Sequence, residues 1–235
     1  MCGRVALYDD PDHLARLLDA GVDPALLSDW RPAWNLAPTD NILGVSERHG
    51  DRTLRAYRWG LVPHWAKTPA AITGTFNARA ESVADKPTFR TAFRKGRILV
   101  PVDAFYEWET LGPKVKQPYA FRRADGDPVV LAGLREWWRG PQDVELHTAT
   151  IITTAAGPDM PIHNRQPVVL ERATWDRWLD PDVSAPEELG PLLVSGVEGT
   201  LIRHPVGRAV GNVRNDGPEL VEAIAVQGDL GLNSL

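Results

Sequence analysis

Four apolar runs in the middle of the chain limit the folds that it can adopt. Each run is rich in β-branched and aromatic residues, which favour strands over helices. They are GRILVPVDAFYEW, QPYAFRR, DPVVLAGLREWW and HTATIITTAA. The sequence ADGD between the second and third runs is typical of a tight turn joining neighbouring strands. We therefore predict a curved, mostly antiparallel sheet at the centre of the fold.

Short helices are predicted around this sheet. In DDPDHLARLLDAG, Asp10 is the expected N-cap, Pro11 takes the first helical position and Gly21 ends the helix. Further helices are predicted in PTFRTAFRKG and in ERATWDRWLD, where Trp175 and Trp178 should share the buried side. DPDVSAPEELGP is typical of a loop that leads into another short helix. The predicted class is α+β: one compact β-rich domain over residues 1–222, followed by a frayed tail over 223–235.

The composition narrows the cellular setting. One cysteine among 235 residues excludes an internal disulfide and a thiolate metal cluster, and the cytosol is the default compartment. No stretch approaches the run of about 18 apolar residues that a membrane span requires. We expect a soluble cytoplasmic protein that uses no metal or organic cofactor.

Charge is distributed unevenly along the chain. Residues 48–97 contain eleven Lys or Arg and three acidic residues, so this segment is +8 and the remainder −13. A surface that faces a polyanion would show this asymmetry. A solvated helix with exposed strands would give the same count, and charge alone does not separate the two interpretations.

The single thiol, Cys2, lies one residue from the start of the chain. Methionine aminopeptidases remove Met1 when the next residue is small, which would leave an α-amine beside the thiol. An α-amine has a pKa of about 8 against about 10.4 for lysine, so it is the better Schiff-base former at neutral pH. The thiol can then add to the imine and close a five-membered thiazolidine ring. Cys2 is thus either an aldehyde trap or a small buried hydrophobic residue at the start of a strand.

A polar stretch, FNARAES, follows a Gly-Thr turn and carries Asn77, Arg79 and Glu81. An asparagine amide can orient an oxygen atom, and an arginine can hold a phosphate through two parallel hydrogen bonds. We therefore treat this stretch as a candidate part of a catalytic or binding site.

Two further segments carry titratable side chains. Glu107 lies between Tyr106 and Trp108, so its pKa should be raised and it is a candidate general acid or base, or else a paired structural glutamate. His163 and Arg165 lie in a proline-bounded loop before an apolar segment. A loop histidine of this kind is either structural or a proton-transfer group.

Seven motifs, in order, resemble the SOS-response-associated peptidase family, the abasic-site processing proteins. The resemblance covers approximately residues 1–222 and implies a compact β-rich α+β domain that captures abasic sites in single-stranded DNA. The motifs are MCGRV, WNLAPTD, WGLVPHWAK, FNARAES, RILVPVDAFYEW, MPIHNRQPVVL and HPVGRAVGNVRNDG.

The resemblance implies a role for each candidate catalytic residue. Cys2 would condense with the aldehyde of the ring-opened deoxyribose and leave a thiazolidine crosslink that shields the lesion from strand cleavage. Asn77 would position the N-terminus and the sugar. Glu107 would assist ring opening and proton transfer. His163 would serve proton transfer at the Schiff base and reversal of the crosslink, so lyase and autoproteolytic activities are also implied.

The resemblance further implies a DNA-binding surface. Arg4, Arg79 and Arg165 match positions that contact the phosphate backbone, and Pro38 and Trp65 match positions beside the unstacked bases. The basic segment would form part of this DNA face. The expected partner is single-stranded DNA that contains abasic sites, bound by a monomer that associates with the nucleoid when it acts.

Three positions depart from the family pattern. Ala66 stands where many members have a second tryptophan, which predicts a smaller stacking wedge. Ala104 replaces a glycine before FYEW, and Gln166 replaces a methionine after the His-x-Arg of the loop. We expect the chemistry to survive both of these changes.

Three other functions remain open on the sequence. A class II glutamine amidotransferase also begins with Met-Cys-Gly, but it would not predict FNARAES, FYEW and the His163 loop together. A thiol peptidase would use Cys2 to cut its own leading residue or other proteins. A non-covalent single-strand binder would bind DNA in a salt-sensitive manner without needing Cys2.

Overall fold

A computed structural model describes residues 2–69 and 73–225 of the chain. The described strands are β1 Val5–Leu7, β2 Gly21–Val22, β3 Ala33–Leu36, β4 Asn41–Arg48, β5 Asp51–Trp59, β6 Asn77–Arg79, β7 Arg97–Val102, β8 Ala104–Gly112, β9 Val115–Arg123, β10 Val129–Arg139, β11 Glu145–Ala155, β12 Arg165–Pro167 and β13 Leu201–Pro205. The described α-helices are α1 Pro11–Leu17, α2 Pro24–Asp29, α3 Arg90–Lys95, α4 Trp175–Leu179 and α5 Pro186–Leu189. The α+β class and the mostly antiparallel pairing are confirmed.

The strands form two sheets rather than the one that was expected. In the larger sheet, β4, β5, β11, β10 and β7 close into a ring, because β5 pairs with β11 in parallel while the other neighbours pair antiparallel. Glycine is required where the backbone approaches the packed interior: a Cβ on Gly133 would lie 2.6 Å from Cγ2 of Val100. One buried cluster receives side chains from all five ring strands, among them Ile42, Tyr57, Trp59, Ile98, Val100, Leu131 and Ile151.

The smaller sheet has the strand order β13-β9-β8-β1-β3 and packs against the same buried cluster. Phe105 of β8 and Phe121 of β9 stack there with their ring centroids 5.1 Å apart, and Val5 of β1 lies beside them. Cys2 belongs to this cluster as well. The packing of the two sheets therefore determines the position of Cys2.

The helices cover a second buried cluster, to which Leu14, Phe93 and Trp178 contribute. Helix α1 begins as predicted, since the Asp10 side chain accepts hydrogen bonds from the first free N–H groups, but it ends at Leu17, before Gly21. Helix α3 occupies only the last part of its predicted segment. Trp175 and Trp178 are both buried, as predicted, and α5 lies in the segment where a short helix was predicted.

The run GRILVPVDAFYEW is not one strand. It divides at Asp103 into β7 and β8, which belong to different sheets. The Asp103 carboxylate accepts hydrogen bonds from the backbone N–H groups of Tyr8 and Asp9 at 2.6 and 2.9 Å. An apolar run hides this division, because the alternation of side chains does not reveal a change of sheet.

Ile224, which lies within the predicted tail, is attached to the domain, because its N–H donates to the Pro205 carbonyl. The predicted tail covers 223–235, and its residues 226–235 lie outside the described part of the chain. Among the described helices, none has the length and apolar character needed to cross a membrane.

Candidate active site at the start of the first strand

The position of Cys2 follows from the pairing of β1 with β8. Val5 pairs with Phe105, and the Tyr106 N–H donates to the Arg4 carbonyl at 3.0 Å, which continues the pairing toward the start of the chain. Cys2 is completely buried. It is a buried residue at a strand start, as one interpretation expected, and it is also close to the polar groups that the other interpretation requires.

Asn77 contacts Cys2 directly. Strand β6 runs parallel to β11, with Asn77 opposite Ile151, and the Asn77 Nδ2 donates a 2.5 Å hydrogen bond to the Cys2 carbonyl. The Asn77 Oδ1 is buried and accepts no hydrogen bond from the described residues. The amide therefore holds the backbone of Cys2 with one end and keeps an acceptor available at the other.

Glu107 is buried in β8, and its carboxylate influences the thiol of Cys2. Burial raises the pKa of Glu107, and the nearby His163 opposes this rise. The predicted direction of the Glu107 pKa shift is thus confirmed. Burial, reinforced by the negative charge of Glu107, raises the pKa of the Cys2 thiol far above its ordinary value. The thiol is therefore protonated at neutral pH.

His163 lies in the loop 156–164, which joins β11 to β12. Nδ1 of His163 lies 3.0 Å from the backbone nitrogen of Arg165 and 3.1 Å from its carbonyl oxygen, so the ring is held by the Arg165 backbone and the tautomer determines which of the two contacts is the hydrogen bond. Met160 and Ile162 of this loop pack into the cluster that contains Cys2. The loop thus brings His163 to the same end of the fold as Cys2 and Glu107.

Arg165 and Arg79 face each other across the end of β11. The Arg165 guanidinium binds both carboxylate oxygens of Glu81, at 2.8 and 3.0 Å, and also donates to the Thr153 carbonyl at 2.6 Å. The Arg165 hydrogen bond, followed by the charges of Arg165 and Arg79, lowers the pKa of Glu81. The two predicted phosphate contacts therefore form one cluster with an acidic residue between them.

Arg4 is engaged within the fold. Its Nη1 donates to Oδ1 of Asn35 at 2.7 Å and to the Val210 carbonyl at 2.6 Å, and its guanidinium lies over the ring of Trp108. These contacts join β1 to β3 and to the C-terminal part of the chain. A phosphate contact by Arg4 remains a prediction.

The two predicted base-stacking residues lie in different surroundings. Pro38 lines a cavity of about 480 Å³ together with Arg58, Phe76 and neighbouring residues. Trp65 lies in the loop after β5 and is 52% exposed. The next residue, Ala66, is buried and its carbonyl accepts a 2.7 Å hydrogen bond from the Trp138 indole.

The basic segment 48–97 does not form a single surface. Arg97 is buried, and its hydrogen bonds within the described part of the chain go to backbone carbonyls, including those of Phe93 and Trp178. Arg52 pairs with Glu47 and Asp176, and Arg55 pairs with Asp23. Several of its charges are therefore used within the fold, and the count of basic residues overstates the charge that the segment presents to DNA.

Two residues of the site were not assigned a role from the sequence. Glu81 was recognised as part of a polar stretch, but no pattern within that stretch indicates its ion pair with Arg165. Gln166, which was noted only as a departure from the pattern, is 1% exposed and spans three segments near His163. Within the described ranges, no three His, Cys, Asp or Glu side chains are placed to bind a metal ion.

The family model for the SOS response associated peptidase (SRAP) matches residues 1–213. The abasic site processing protein YoqW of Bacillus subtilis is 35% identical over 225 residues, which cover 95% of this chain and 100% of the relative. The abasic site processing protein YedK of Escherichia coli is 33% identical over 231 residues, with 95% and 100% covered. The abasic site processing protein HMCES of Gallus gallus is 32% identical over 228 residues, with 83% and 67% covered.

Solved structures resemble the fold closely. A crystal structure of a protein from Bacteroides thetaiotaomicron superimposes with a TM-score of 0.86 at 20% identity, covering 95% of this chain and 100% of that chain. A phage-related protein from Bordetella bronchiseptica gives a TM-score of 0.66 at 28% identity, covering 87% and 94%.

Proposed function

Since the chain belongs to the SOS response associated peptidase (SRAP) family, we propose that it captures abasic sites in single-stranded DNA by forming a covalent crosslink through Cys2. Its curated relatives are named abasic site processing proteins, which supports DNA with abasic sites as the target. The bond-forming group would be the α-amine and thiol of Cys2 after removal of Met1.

The proposed reaction has two steps. The unprotonated α-amine of Cys2 attacks the aldehyde carbon of the ring-opened deoxyribose, and loss of one water leaves an imine. The thiol sulfur then adds to the imine carbon while its proton passes to the imine nitrogen, which closes a thiazolidine. The adduct therefore equals DNA plus protein without Met1, minus one water.

One observation carries the proposal: Cys2 is held by Asn77 through its carbonyl and lies within the electrostatic influence of the buried Glu107. A carboxyl group with a raised pKa can accept and return a proton near neutral pH, as ring opening and imine formation require. His163 lies close enough to Glu107 to influence its pKa, which supports its role in proton transfer and in reversal or lyase chemistry.

The raised pKa of the thiol weighs less against ring closure than against the other functions of Cys2, because an iminium carbon attached to the same residue is a far stronger electrophile than an amide carbonyl. A thiol peptidase or an amidotransferase needs a thiolate nucleophile, and catalytic cysteines of that kind have a lowered pKa. Burial and Glu107 shift the Cys2 pKa in the opposite direction. Autoproteolytic exposure of Cys2 stays compatible with the proposal as a subsidiary activity, and an amidotransferase is disfavoured.

The DNA strand would follow the groups around this site. Arg79 and Arg165 supply guanidinium groups for phosphates at the end of β11, and the exposed Trp65 and the Pro38 cavity suit unstacked bases. With Ala66 buried beneath Trp138, Trp65 is the aromatic side chain of its loop that is available for stacking.

The decisive experiment incubates the purified protein with single-stranded DNA that carries one abasic site. Intact-mass measurement first establishes whether Met1 has been removed. A denaturing gel and a second mass measurement then test for an adduct of DNA plus Met-less protein minus one water. Cys2→Ala should give no adduct that survives denaturation without chemical reduction, while its non-covalent DNA binding persists.

The possible results separate the functions. A Met-less protein that forms no adduct would overturn the crosslinking proposal, and glutaminase and peptidase assays would follow. A denaturation-resistant, unreduced adduct from Cys2→Ala would refute the thiazolidine. Salt-labile binding that survives Cys2→Ala, with no adduct from the wild type, would indicate a non-covalent binder.

A further inference from the structure

We propose that Gln166 is a positioning residue whose side-chain amide holds the loop 156–164 in the position that proton transfer by His163 requires. The inference rests on the proposed function, because His163 is assigned there to proton transfer and crosslink reversal. Gln166 is part of β12, the strand that directly follows this loop. It does not belong to the groups assigned to the reaction.

The amide of Gln166 joins three separate segments. Its Oε1 accepts a 2.8 Å hydrogen bond from the N–H of Gly157, at the beginning of the loop 156–164. Its Nε2 donates a 2.5 Å hydrogen bond to the carbonyl of Ser195, in the segment before β13. Because Gln166 is 1% exposed, water cannot easily replace either contact.

The backbone is packed closely at this junction. A Cβ on Gly157 would lie 2.7 Å from the Oγ of Ser195, so the two segments touch with no room for a side chain. The loop is fixed a second time farther along, where Asp159 accepts hydrogen bonds from the N–H groups of Gly199 and Leu201. The first half of the loop thus has fixed anchors on the neighbouring segment.

These anchors determine where His163 lies. The loop is closed at its base by the Ala156 N–H, which donates to the Asn164 carbonyl at 3.1 Å, and the His163 ring is held by the Arg165 backbone. Without the Gln166 amide, the Gly157 N–H and the Ser195 carbonyl lose their partners and the loop must move to find others. A shift of about 1 Å at a proton-transfer group is enough to slow a reaction by one to two orders of magnitude.

The test compares two buried glutamines. Gln166→Met keeps the length of the side chain and removes both hydrogen bonds. Methionine is also the residue of the family pattern at this position, so the variant tests whether this chain depends on an amide that the pattern lacks. Gln117→Met is the matched control, because Gln117 of β9 is 5% exposed and likewise makes two hydrogen bonds to the backbone, its Nε2 donating to the carbonyls of Pro118 and Val206. Rates of adduct formation and release are measured at saturating abasic-site DNA in both variants, and in each combined with His163→Ala.

Gln166→Met should slow the step that depends on His163 by about 10-fold or more, with DNA affinity unchanged, and should have no further effect in the His163→Ala background. Gln117→Met should lower the melting temperature without changing that rate. An equal slowing by Gln166→Met with and without His163 would overturn the proposal. Gly157→Ala displaces the same loop from the other side and replaces Gln166→Met in this comparison where the latter fails to fold.

A second measurement does not depend on the reaction. Imidazole nitrogen shifts from long-range ¹H–¹⁵N spectra of the free protein report the tautomer of His163. The wild type and Gln117→Met should show the same single neutral tautomer, and Gln166→Met should show a mixture. An unchanged tautomer in Gln166→Met would overturn the positioning role, whereas absence of adduct from the wild type would overturn only the proposed function.

Discussion

The guanidinium of Arg165 binds the carboxylate of Glu81 through two parallel hydrogen bonds of 2.8 and 3.0 Å, although the residues are 84 positions apart. A phosphate that approaches Arg165 must therefore compete with an internal anion. We predict that Glu81→Gln raises the affinity for single-stranded DNA several-fold and makes it more salt-dependent, with a slope steeper by about 0.7 for one added phosphate contact. Fluorescence anisotropy across a salt series, with DNA that lacks abasic sites, measures both quantities.

Asp125→Asn is the matched control for this prediction. Asp125 also binds an arginine through two hydrogen bonds, those from Nε and Nη2 of Arg123, so the variant changes the net charge equally at a different ion pair. It should alter neither the affinity nor the salt slope. If Glu81→Gln instead weakened binding, Glu81 would be a residue that orients Arg165 for the phosphate rather than its competitor.

Glu107→Gln should slow adduct formation by about 100-fold and leave DNA binding nearly intact, because the amide occupies the same volume but cannot accept the proton of the reaction. Single-turnover rates at several DNA concentrations separate the chemical step from binding. Glu109→Gln, on the same strand and partly exposed, is the control. Equal losses of rate and affinity in Glu107→Gln would indicate a structural glutamate.

The raised pKa of Glu107 also predicts a pH-dependent effect on stability. A carboxyl group whose pKa is higher in the folded than in the unfolded state favours folding at pH values below the unfolded pKa, and disfavours it once the folded form must lose its proton. Burial is the cause of the rise here. Glu107→Gln should therefore have a higher melting temperature than the wild type at pH 8, and the difference should shrink as the pH falls toward 5.

Differential scanning calorimetry of both proteins between pH 5 and pH 8 checks this expectation. Glu109→Gln should show no such trend across the series. A lower melting temperature of Glu107→Gln at pH 8 would show that the charged carboxylate stabilises the fold, contrary to the direction of the pKa shift.

Trp65→Ala should weaken binding of single-stranded DNA by roughly 5-fold or more, since one base stacked on an aromatic side chain contributes about 1–3 kcal/mol. Trp137 is the control because it is 45% exposed, similar to Trp65 at 52%. Its ring is already stacked on His147 and covered by the Arg139 guanidinium. Trp137→Ala should leave the affinity unchanged, and equal losses in both variants would remove the special role of Trp65.

The local parts of the fold and site could be predicted from the sequence. The N-cap at Asp10, the buried pair Trp175 and Trp178, and the raised pKa of Glu107 all follow from residues within a few positions of one another. The chemistry proposed for Cys2 likewise depends on its position next to Met1, which is a local property, and it stays a prediction.

Features that depend on distant pairing could not be predicted in this way. The ring closes because β5 pairs with β11. The apolar run GRILVPVDAFYEW was taken as one strand, but it passes from one sheet to the other at Asp103, whose carboxylate binds the N–H groups of Tyr8 and Asp9. The partners of Glu81 and Gln166 are chosen by the same tertiary packing. No periodicity in the sequence records which segments meet, so these contacts appear only in the folded chain.

Arg97 shows how a residue counted with the basic surface instead serves the core. Its guanidinium donates to the carbonyls of Phe93 and Arg94 in α3 and of Trp178 and Asp180 at the end of α4. Four buried or partly buried acceptors would lose a charged donor in Arg97→Met. We predict a loss of about 3 kcal/mol in the free energy of unfolding, measured by urea titration.

Arg94→Met is the control, because Arg94 lies three residues before Arg97, in the last turn of α3, and its side chain is exposed. This substitution removes the same charge and should change the free energy of unfolding by less than about 0.5 kcal/mol. The folded fraction of Arg97→Met should bind single-stranded DNA as the wild type does, because a buried guanidinium cannot reach a phosphate. A selective loss of DNA affinity, with the free energy of unfolding unchanged, would show that Arg97 contributes to the DNA-binding surface.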